Sequence, residues 1–420
     1  MALSAQERAD AQRRVVRVLV VGQVVGSAAL ASAVTVGAFV IQDILGAKTA
    51  WSGLASATVT TGTAFMAQAL SRLMGRRGRR PGLQLGYLLA VVGGLIAAVG
   101  VQHRWLAVFV VGLFLFGNGQ ASNLLARYAA TDLAEPDQRG RAMSTVVFSS
   151  TFGAVFGPLL IGPAERLGQS WWGLSKYAGP WVFSSGFFLL AAINTAIRLR
   201  PDPMVSAGRL DEGIERTRTL TLRQVVAVIG PSPRARLAVG SMVVSQAAMV
   251  AVMTMTPVHM KLHGHESLSQ YVVSSHIAGM YAFAPLVGRF SDRRGRVSAI
   301  LVGAVVLIMS TTLAALSGDV EQLLFPALWG LGLGWNFGLI GGSSLLTESV
   351  PADQGVAVQG WADLAMSLCG GIGGFASGFI RKAFGFHMLA NGATLGAGLL
   401  LVAAYVVRSR DATRRGVLAS

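Results

Sequence analysis

The sequence GRFSDRRGR, residues 288–296, is a short basic loop that contains one carboxylate, Asp292, between two apolar segments. Each of these segments is long enough to cross a lipid bilayer. A degenerate copy, SRLMGRRGRR at 71–80, lies between two earlier apolar segments, and the equivalent glycines, Gly78 and Gly295, are 217 positions apart. The chain is therefore predicted to contain two copies of one membrane unit.

The composition is that of a membrane protein. Of the 420 residues, 53% are hydrophobic, 13% are charged and 52 are glycine, which excludes an ordinary soluble domain. The net charge of +16 would indicate nucleic-acid binding in a soluble protein, but here the cations lie between apolar segments, where they determine topology. The single cysteine, Cys369, excludes a disulfide framework and a thiolate metal site.

Twelve apolar segments are long enough for transmembrane helices, which need about 20 residues each. Their continuous apolar character, without polar alternation, predicts helices and not a β-barrel. The predicted fold class is an all-α polytopic membrane protein. The expected spans are 18–40, 51–73, 83–101, 105–126, 142–161, 181–197, 237–258, 271–287, 297–316, 323–345, 357–380 and 388–407.

The distribution of basic residues predicts the orientation. With both termini on the inner side, 28 of the 35 Lys and Arg residues fall in inner segments, which indicates cytoplasmic termini. A second repeat supports the duplication, because TDLAEPDQRGRA at 131–142 and TESVPADQGVA at 347–357 each follow the fourth span of their half. We expect an N-terminal six-helix bundle at 1–197, a cytoplasmic linker at 198–236, and a C-terminal six-helix bundle with a short tail at 237–420.

The loops resemble the signature of the major facilitator superfamily of secondary transporters, roughly G-x-x-x-D-R-x-G-R-R after the second span of each half. The matching residues in the C-terminal loop are Gly288, Asp292, Arg293, Gly295 and Arg296. Those in the N-terminal loop are Arg76, Gly78, Arg79 and Arg80, whereas Ser71 and Gly75 stand where glycine and the acid are usual. The fifth span resembles an exporter pattern, G-x-x-x-G-P-x-x-G-G, through Gly153, Gly157, Pro158 and Gly162.

This resemblance implies two pseudo-symmetric six-helix bundles and a cytoplasmic gate. Asp292 would pair with neighbouring arginines and with the positive N-terminus of the fifth span. The expected gate residues are Asp292, Arg293, Arg296, Arg139, Arg141, Arg76, Arg79 and Arg80. Alternatively, the loops only determine topology and are otherwise solvated.

In this family the first, fourth, seventh and tenth spans line the substrate cavity. On these spans the candidates are Gln23, Asn118, Gln120, Asn123, Gln246, Thr254, Thr256, Trp335 and Asn336. These uncharged groups suit a lipophilic or amphipathic solute better than a dense anion. Hydrogen bonding between helices is the alternative role for each of them.

Asp363 is the one carboxylate that lies clearly within a span, the eleventh. A buried carboxylate can bind and release a proton near neutral pH, so Asp363 is the first candidate for proton coupling. The alternative is a structural carboxylate paired with a cation such as Arg127. His276 and His259 titrate in the useful range and are further candidates, although a lone histidine is often only a packing residue.

Small residues recur at helical spacing on three spans. The candidates for packing or hinge positions are Gly153, Gly157, Pro158, Gly330, Gly334, Gly338, Gly370 and Gly374. Static packing and the sliding or bending of helices during transport both account for them.

We expect a secondary active transporter that works by alternating access, with proton-coupled efflux of a lipophilic or amphipathic drug or metabolite. A proton-coupled importer of a small nutrient is the alternative, and a non-transporting receptor or membrane enzyme is more remote. The sequence contains no G-x-x-x-x-G-K-[ST] loop, so an ATP-driven pump is not expected. We expect a monomer in the plasma membrane with the bilayer and a small solute as partners, the proton gradient as energy source, and no enzymatic activity, cofactor, metal or nucleic-acid partner.

Overall fold

A computed structural model describes residues 4–45, 51, 54–208, 220–262, 266–318 and 320–419. These residues form α-helices joined by turns, among them the short 3₁₀ turns Pro136–Gln138 and Glu321–Leu323, and contain no strand. The helices are α1 (Ala5–Leu45), α2 (Leu54–Arg77), α3 (Arg79–Gln102), α4 (Leu106–Ala129), α5 (Arg139–Leu159), α6 (Ile161–Trp172), α7 (Ala178–Arg198), α8 (Pro203–Ser206), α9 (Leu222–Ile229), α10 (Pro233–Leu262), α11 (Glu266–Tyr281), α12 (Ala284–Arg294), α13 (Arg296–Ala315), α14 (Leu324–Ser349) and α15 (Gly355–Ala419).

Within the described part of the chain, eight helices are long and apolar enough to cross a membrane. They are α1, α3, α4, α7, α10, α13, α14 and α15. Helix α15 carries both of the last two expected spans, with a single non-helical residue at Gly385 (φ 86°, ψ 167°). The other expected spans fall on α2, whose hydropathy is lowered by its Thr, Ser and Gln residues, on α5, and on α11 with α12.

The expected span at 271–287 is divided into two helices. Helix α11 ends at Tyr281, and α12 begins at Ala284 with Pro285 in its first turn. Proline has no N–H, and its ring would collide with the carbonyl four residues earlier in a continuous helix. The apolar run therefore predicted the span but not its interruption.

Two other expected features differ in detail from the structure. The polar linker at 198–236 contains the short helices α8 and α9, and its residues 209–219 lie outside the described part. At the start of α9, Oε1 of Gln224 accepts the N–H of Thr221 (2.9 Å) and so satisfies an exposed end of the helix. The fifth span ends at Leu159 and is followed directly by α6, while the side chain of Pro158 lies outside the described residues.

The helices form two compact units. Unit 1 comprises Met1–Ala134, Thr145–Thr219 and Val356–Leu368, and unit 2 comprises Glu135–Ser144, Leu220–Gly355 and Cys369–Ser420. In the core of unit 1, Phe116 packs edge-on against Trp181 (5.3 Å) and Phe188 (5.0 Å). In unit 2, α11 and α14 pack so closely that a Cβ on Gly279 would lie 2.1 Å from the carbonyl oxygen of Trp329.

Candidate functional site

In unit 1, a buried arginine holds the junction between α2 and α3 in place; the stretch at 71–80 that was predicted as a loop is the end of α2, Gly78 and the start of α3. Arg79, at the start of α3, binds both carboxylate oxygens of Asp132, with Nε–Oδ2 at 2.8 Å and Nη2–Oδ1 at 3.1 Å. Its Nη2 also donates to Oε1 of Gln359 on α15 (3.1 Å). Two parallel hydrogen bonds between guanidinium and carboxylate fix orientation as well as distance. The junction is thus tied to the end of α4 and to the first turns of α15.

A second carboxylate near this junction comes from the segment after α7. Asp202 accepts the backbone N–H of Arg80 with Oδ2 (2.7 Å) and that of Met204 with Oδ1 (2.9 Å). It therefore satisfies an N–H in the first turn of α3, which has no partner within the helix. Gly78 makes room for it, since φ is 95° there and a Cβ would lie 2.6 Å from the Asp202 carboxylate.

In unit 2, Asp292 caps the start of α5. Its Oδ1 accepts the N–H of Gly140 (3.0 Å) and its Oδ2 accepts that of Arg141 (2.8 Å), while Arg296 Nη1 lies 2.8 Å from Oδ1. The first N–H groups of a helix lack partners within it, and the helix dipole favours an anion at this end. Burial raises the pKa of the Asp292 carboxyl, against the opposing effect of Arg296 and of the two N–H donors.

Arg296 makes in unit 2 the same kind of pair that Arg79 makes in unit 1. Its Nε donates to Oε1 of Glu348 (2.9 Å), and its Nη2 donates to the carbonyl of Pro136 (2.6 Å). The two arginines are 217 positions apart, and their carboxylate partners, Asp132 and Glu348, are 216 apart. Both carboxylates belong to the second sequence repeat, but the sequence analysis did not assign them as partners of the arginines. The nearly equal offsets, 217 and 216 positions, were the signal that could have found them.

The remaining gate candidates differ in their surroundings. The side chains of Arg76, Arg141 and Arg293 are exposed, and those of Arg80 and Arg139 are half-buried. Arg80 and Arg141 enter the two caps through their backbone N–H groups. Their proposed roles as gate side chains stay predictions.

A buried ion pair lies between α4 and α15 within unit 1. Arg127 Nη2 donates to Oδ1 of Asp363, and the two side chains are 2% and 0% exposed. The guanidinium also donates to the carbonyl of Leu124 (2.7 Å) and to the hydroxyl of Tyr128 (3.2 Å), and it lies 4.4 Å from the centre of the Tyr128 ring. Oδ2 of Asp363 is buried and has no hydrogen-bond partner among the described residues. One carboxylate oxygen is thus engaged, and the other is available to a proton.

Uncharged polar candidates cluster in the core of unit 1. Gln23 Nε2 donates to Oγ of Ser150 (2.8 Å), and the hydroxyl of Tyr87 donates to Oδ1 of Asn123 (3.0 Å). The other amide atoms, Oε1 of Gln23 and Nδ2 of Asn123, are buried without a partner in the described part of the chain. Buried polar atoms without a partner are rare in proteins and indicate a place for water or a ligand.

Helix α4 carries two further candidates. Asn118 Nδ2 donates to the carbonyl of Leu115 (2.6 Å), while its Oδ1 is buried without a partner among the described residues. Gln120 is half-buried. Asn118 therefore adds a third amide atom that is not satisfied within unit 1.

In unit 2 the candidates divide into satisfied and unsatisfied groups. Trp335 Nε1 donates to Oε1 of Gln246 (2.6 Å). Thr254 and Thr256 donate to carbonyls of their own helix, at 2.6 and 2.8 Å. Asn336 is fully buried, and neither of its amide atoms has a partner within the described ranges. Asn336 is thus the unit 2 residue of this set with the strongest requirement for a further partner.

The two candidate histidines occupy different environments. His276 is fully buried with Nδ1 2.8 Å from the carbonyl oxygen of Leu328, and its Nε2 is unpartnered among the described residues. His259 has Nε2 3.3 Å from the carbonyl oxygen of Gly318 and stacks on Phe386 at 4.5 Å. Over the described ranges, no three His, Cys, Asp or Glu side chains are grouped as metal ligands.

The glycine candidates all lie at close contacts between helices. On α5, a Cβ at Gly153 would lie 2.4 Å from the carbonyl oxygen of Val24, and one at Gly157 would lie 2.7 Å from that of Ala28. A Cβ would come within 2.9 Å of a neighbouring side chain at Gly330, Gly334, Gly338, Gly370 and Gly374. Close packing of the helices therefore explains why these positions are glycine, and a role as hinges stays a prediction.

Comparison with known proteins gives matches along most of the chain. The family model of the Major Facilitator Superfamily matches residues 19–339 and 237–418. An uncharacterized MFS-type transporter of Bacillus subtilis, YdeG, is 36% identical over 381 residues, which cover 90% of this chain and 88% of that protein. The riboflavin transporter RfnT of Brucella anthropi is 28% identical over 388 residues, which cover 91% of this chain and 92% of RfnT. The crystal structure of the human organic anion transporter MFSD10 has the same fold, with a TM-score of 0.74 at 16% identity over 94% of this chain and 99% of that one.

Proposed function

Since the chain belongs to the Major Facilitator Superfamily and is a multi-pass secondary transporter, we propose that it exports a lipophilic or amphipathic small molecule in exchange for protons. The observation that carries the proposal is the buried Arg127–Asp363 pair, in which one carboxylate oxygen has no partner among the described residues.

Asp363 can exist in two states that differ in charge. When it is ionised, its negative charge balances Arg127 in a site that water does not reach. When a proton binds Oδ2, the carboxyl becomes neutral and Arg127 loses its counter-ion. Because an uncompensated charge is costly within a membrane, each state favours a different arrangement of the surrounding helices. A protein that visits both arrangements can couple proton movement to alternating access.

The chemistry of the proposed solute is inferred from the uncharged amide side chains. Within unit 1, buried polar atoms of Gln23, Asn118 and Asn123 lack partners among the described residues, and a bound solute could satisfy them. None of these three side chains carries a charge, so they would bind a solute by hydrogen bonds and apolar contacts rather than by ion pairing. A largely apolar molecule with a few hydroxyl or amide groups would fit this chemistry.

Proton-coupled uptake of a small nutrient is the second candidate function. The observation in its favour is the similarity to a riboflavin transporter along 91% of the chain. Riboflavin combines a flat aromatic ring with a hydroxylated side chain, which is the amphipathic character that the uncharged amides suit. The two candidates therefore differ in the direction of coupling more than in the class of solute.

The loop contacts supply the proposed gate. We propose that the cap of Asp292 on α5 forms in one transport state and breaks in another, while the Arg79–Asp132 and Arg296–Glu348 pairs keep each loop on its own helices. The chain would act as a monomer in the plasma membrane with cytoplasmic termini, with the bilayer and the solute as partners. The proton gradient would supply the energy, without a cofactor and without enzymatic activity.

Transport into liposomes under an imposed pH gradient distinguishes the two functions. With purified protein reconstituted at equal amounts, an antiporter accumulates solute when the lumen is acid, and a symporter accumulates it when the outside is acid. The direction of the pH gradient that produces accumulation does not depend on how the protein is oriented in the liposome, because reversing the protein reverses the movement of both the proton and the solute. We expect accumulation with an acid lumen, tested with riboflavin, a lipophilic cation and an uncharged antibiotic.

Asp363 supplies the matched variants. Asp363→Asn should abolish the effect of the pH gradient, and Asp363→Glu should restore part of it. Asp43→Asn is the control, because it makes the same chemical change in a carboxylate that is 51% exposed and pairs with Arg104. Normal coupling by Asp363→Asn would show that the proton binds elsewhere, and accumulation only with an acid exterior would replace the exporter with the importer.

A further inference from the structure

A cleft rich in arginine lies where the start of α1 meets the end of α7, within unit 1. Its volume is about 760 Å³, and its lining residues are Asp10, Arg13, Arg14, Arg17, Val18, Ile197, Arg198 and Arg200. All five arginines are exposed, and Arg13 pairs with Asp10. Glu7 lies in an adjoining recess of about 220 Å³. Five guanidinium groups therefore face two carboxylates, and the cleft keeps a net positive charge.

Three more guanidinium groups of the cleft make hydrogen bonds and have donors left over. Arg14 Nη1 donates to the carbonyl of Arg200 (3.4 Å), and Arg200 Nε donates to that of Ala196 (3.2 Å). Arg198 Nη1 donates to Oδ1 of Asn194 (3.4 Å). Each guanidinium has five N–H donors, so each of these arginines has donors left for an anion. Arginine is also the side chain that best matches the geometry of a phosphate group.

An apolar stripe leads away from the cleft along α7. Leu190, Ile193 and Ile197 are exposed and follow helical spacing, so they lie on one face of the helix. Ile197 is 68% exposed and also lines the cleft, which makes the stripe and the cleft continuous. On α1, the exposed Val21 lies one turn after Arg17. Since these helices cross the membrane, exposed apolar side chains on them contact lipid.

We propose that this cleft binds the phosphate of an anionic phospholipid, with an acyl chain along the α7 stripe. A free phosphate would use the arginines but would have no use for the apolar stripe beside them. Basic pockets at the ends of membrane helices attract anionic headgroups by charge and by hydrogen bonds to phosphate. The end of an apolar span is also the depth at which lipid headgroups lie.

Lipid titration of the purified full-length protein in neutral detergent tests this proposal. Phosphatidylglycerol and phosphatidylcholine with identical acyl chains are compared by native mass spectrometry and by the thermal midpoint. We expect phosphatidylglycerol to bind preferentially, and the double variant Arg17→Gln/Arg198→Gln to bind it about 30-fold more weakly. The control Arg408→Gln/Arg410→Gln, which neutralises two exposed arginines near the end of α15, should change binding by less than about threefold.

Three outcomes would overturn the proposal. An equal loss in the control variant would show diffuse attraction to a basic protein, and equal binding of phosphatidylcholine would show that the charge of the headgroup is not recognised. Competition by inorganic phosphate as strong as that by the lipid would assign the cleft to a soluble anion. The thermal midpoint without added lipid verifies that each variant is folded.

Discussion

Removing one partner of the Arg127–Asp363 pair should destabilise the protein far more than removing both. The side chains are 2% and 0% exposed, so Asp363→Leu leaves the guanidinium in a water-free site without its counter-ion. Breaking a buried pair in this way costs about 3–5 kcal/mol. We expect the lower end of this range, about 3 kcal/mol, because the Leu124 carbonyl and the Tyr128 hydroxyl still accept hydrogen bonds from Arg127.

The double variant Arg127→Met/Asp363→Leu replaces the pair with apolar side chains. Its free energy of unfolding should lie within about 1 kcal/mol of that of the unchanged protein, because neither charge remains buried. The four proteins form a double-mutant cycle, and single losses of about 3 kcal/mol each against a double loss of about 1 kcal/mol give an expected coupling energy of about 5 kcal/mol between the two positions.

Unfolding in mixed micelles by a denaturing detergent, followed by circular dichroism, measures these free energies. The control cycle uses Arg104 and Asp43, whose side chains are 60% and 51% exposed and whose charged atoms are 3.4 Å apart. Exposed pairs contribute less than about 1 kcal/mol, so the coupling energy in this cycle should be small. If the Arg127→Met/Asp363→Leu variant is as unstable as the sum of its single variants, the two groups do not stabilise each other and the reasoning fails.

Three further predictions concern the loops. Asp292→Asn removes one of the two acceptors at the start of α5, so hydrogen exchange there should become about tenfold faster, and unchanged exchange would contradict the cap. Arg79→Lys loses the bidentate pairing with Asp132 and should lower the free energy of unfolding by about 2 kcal/mol in the micelle assay. Equal stability of this variant would show that the bidentate pairing is not needed. Gly78→Ala and Gly295→Ala should each cost about 1–3 kcal/mol because φ is 95° and 91° there, and the loss should be larger at Gly78, where Asp202 blocks the Cβ. Equal losses of stability at the two glycines would show that the Asp202 carboxylate does not obstruct a Cβ at position 78.

The superfamily and the all-helical class were predicted from the sequence, and both are confirmed. The helical class was predictable because span length and continuous apolar character are properties of local sequence, and the superfamily was predictable because the motif at 288–296 resembles that of its members. Apolar character was less informative about whether a span is one continuous helix, since Pro285 interrupts the apolar run at 271–287.

Prediction from the sequence had a different limit in the pairing of side chains. The sequence placed Arg79 and Arg296 in loops, and it placed Asp132 and Glu348 in a separate repeat, with no indication that each arginine would meet one carboxylate. Asp202 was not selected at all, because its role depends on the open space that Gly78 leaves beside the start of α3. Gln359 contacts Arg79 across 280 positions, and the sequence analysis found no motif that relates these two residues.

The amino-acid sequence alone determined that this protein is a helical membrane protein, because hydrophobic length is a property of neighbouring residues, and its loop motif was enough to identify the superfamily. Only the tertiary structure decided which charges are buried together, as in Arg127 with Asp363, and which amides are left without partners, as in Asn336. Pairing of this kind depends on which helices pack together, and burial then makes each buried charge costly unless the packing also supplies its partner.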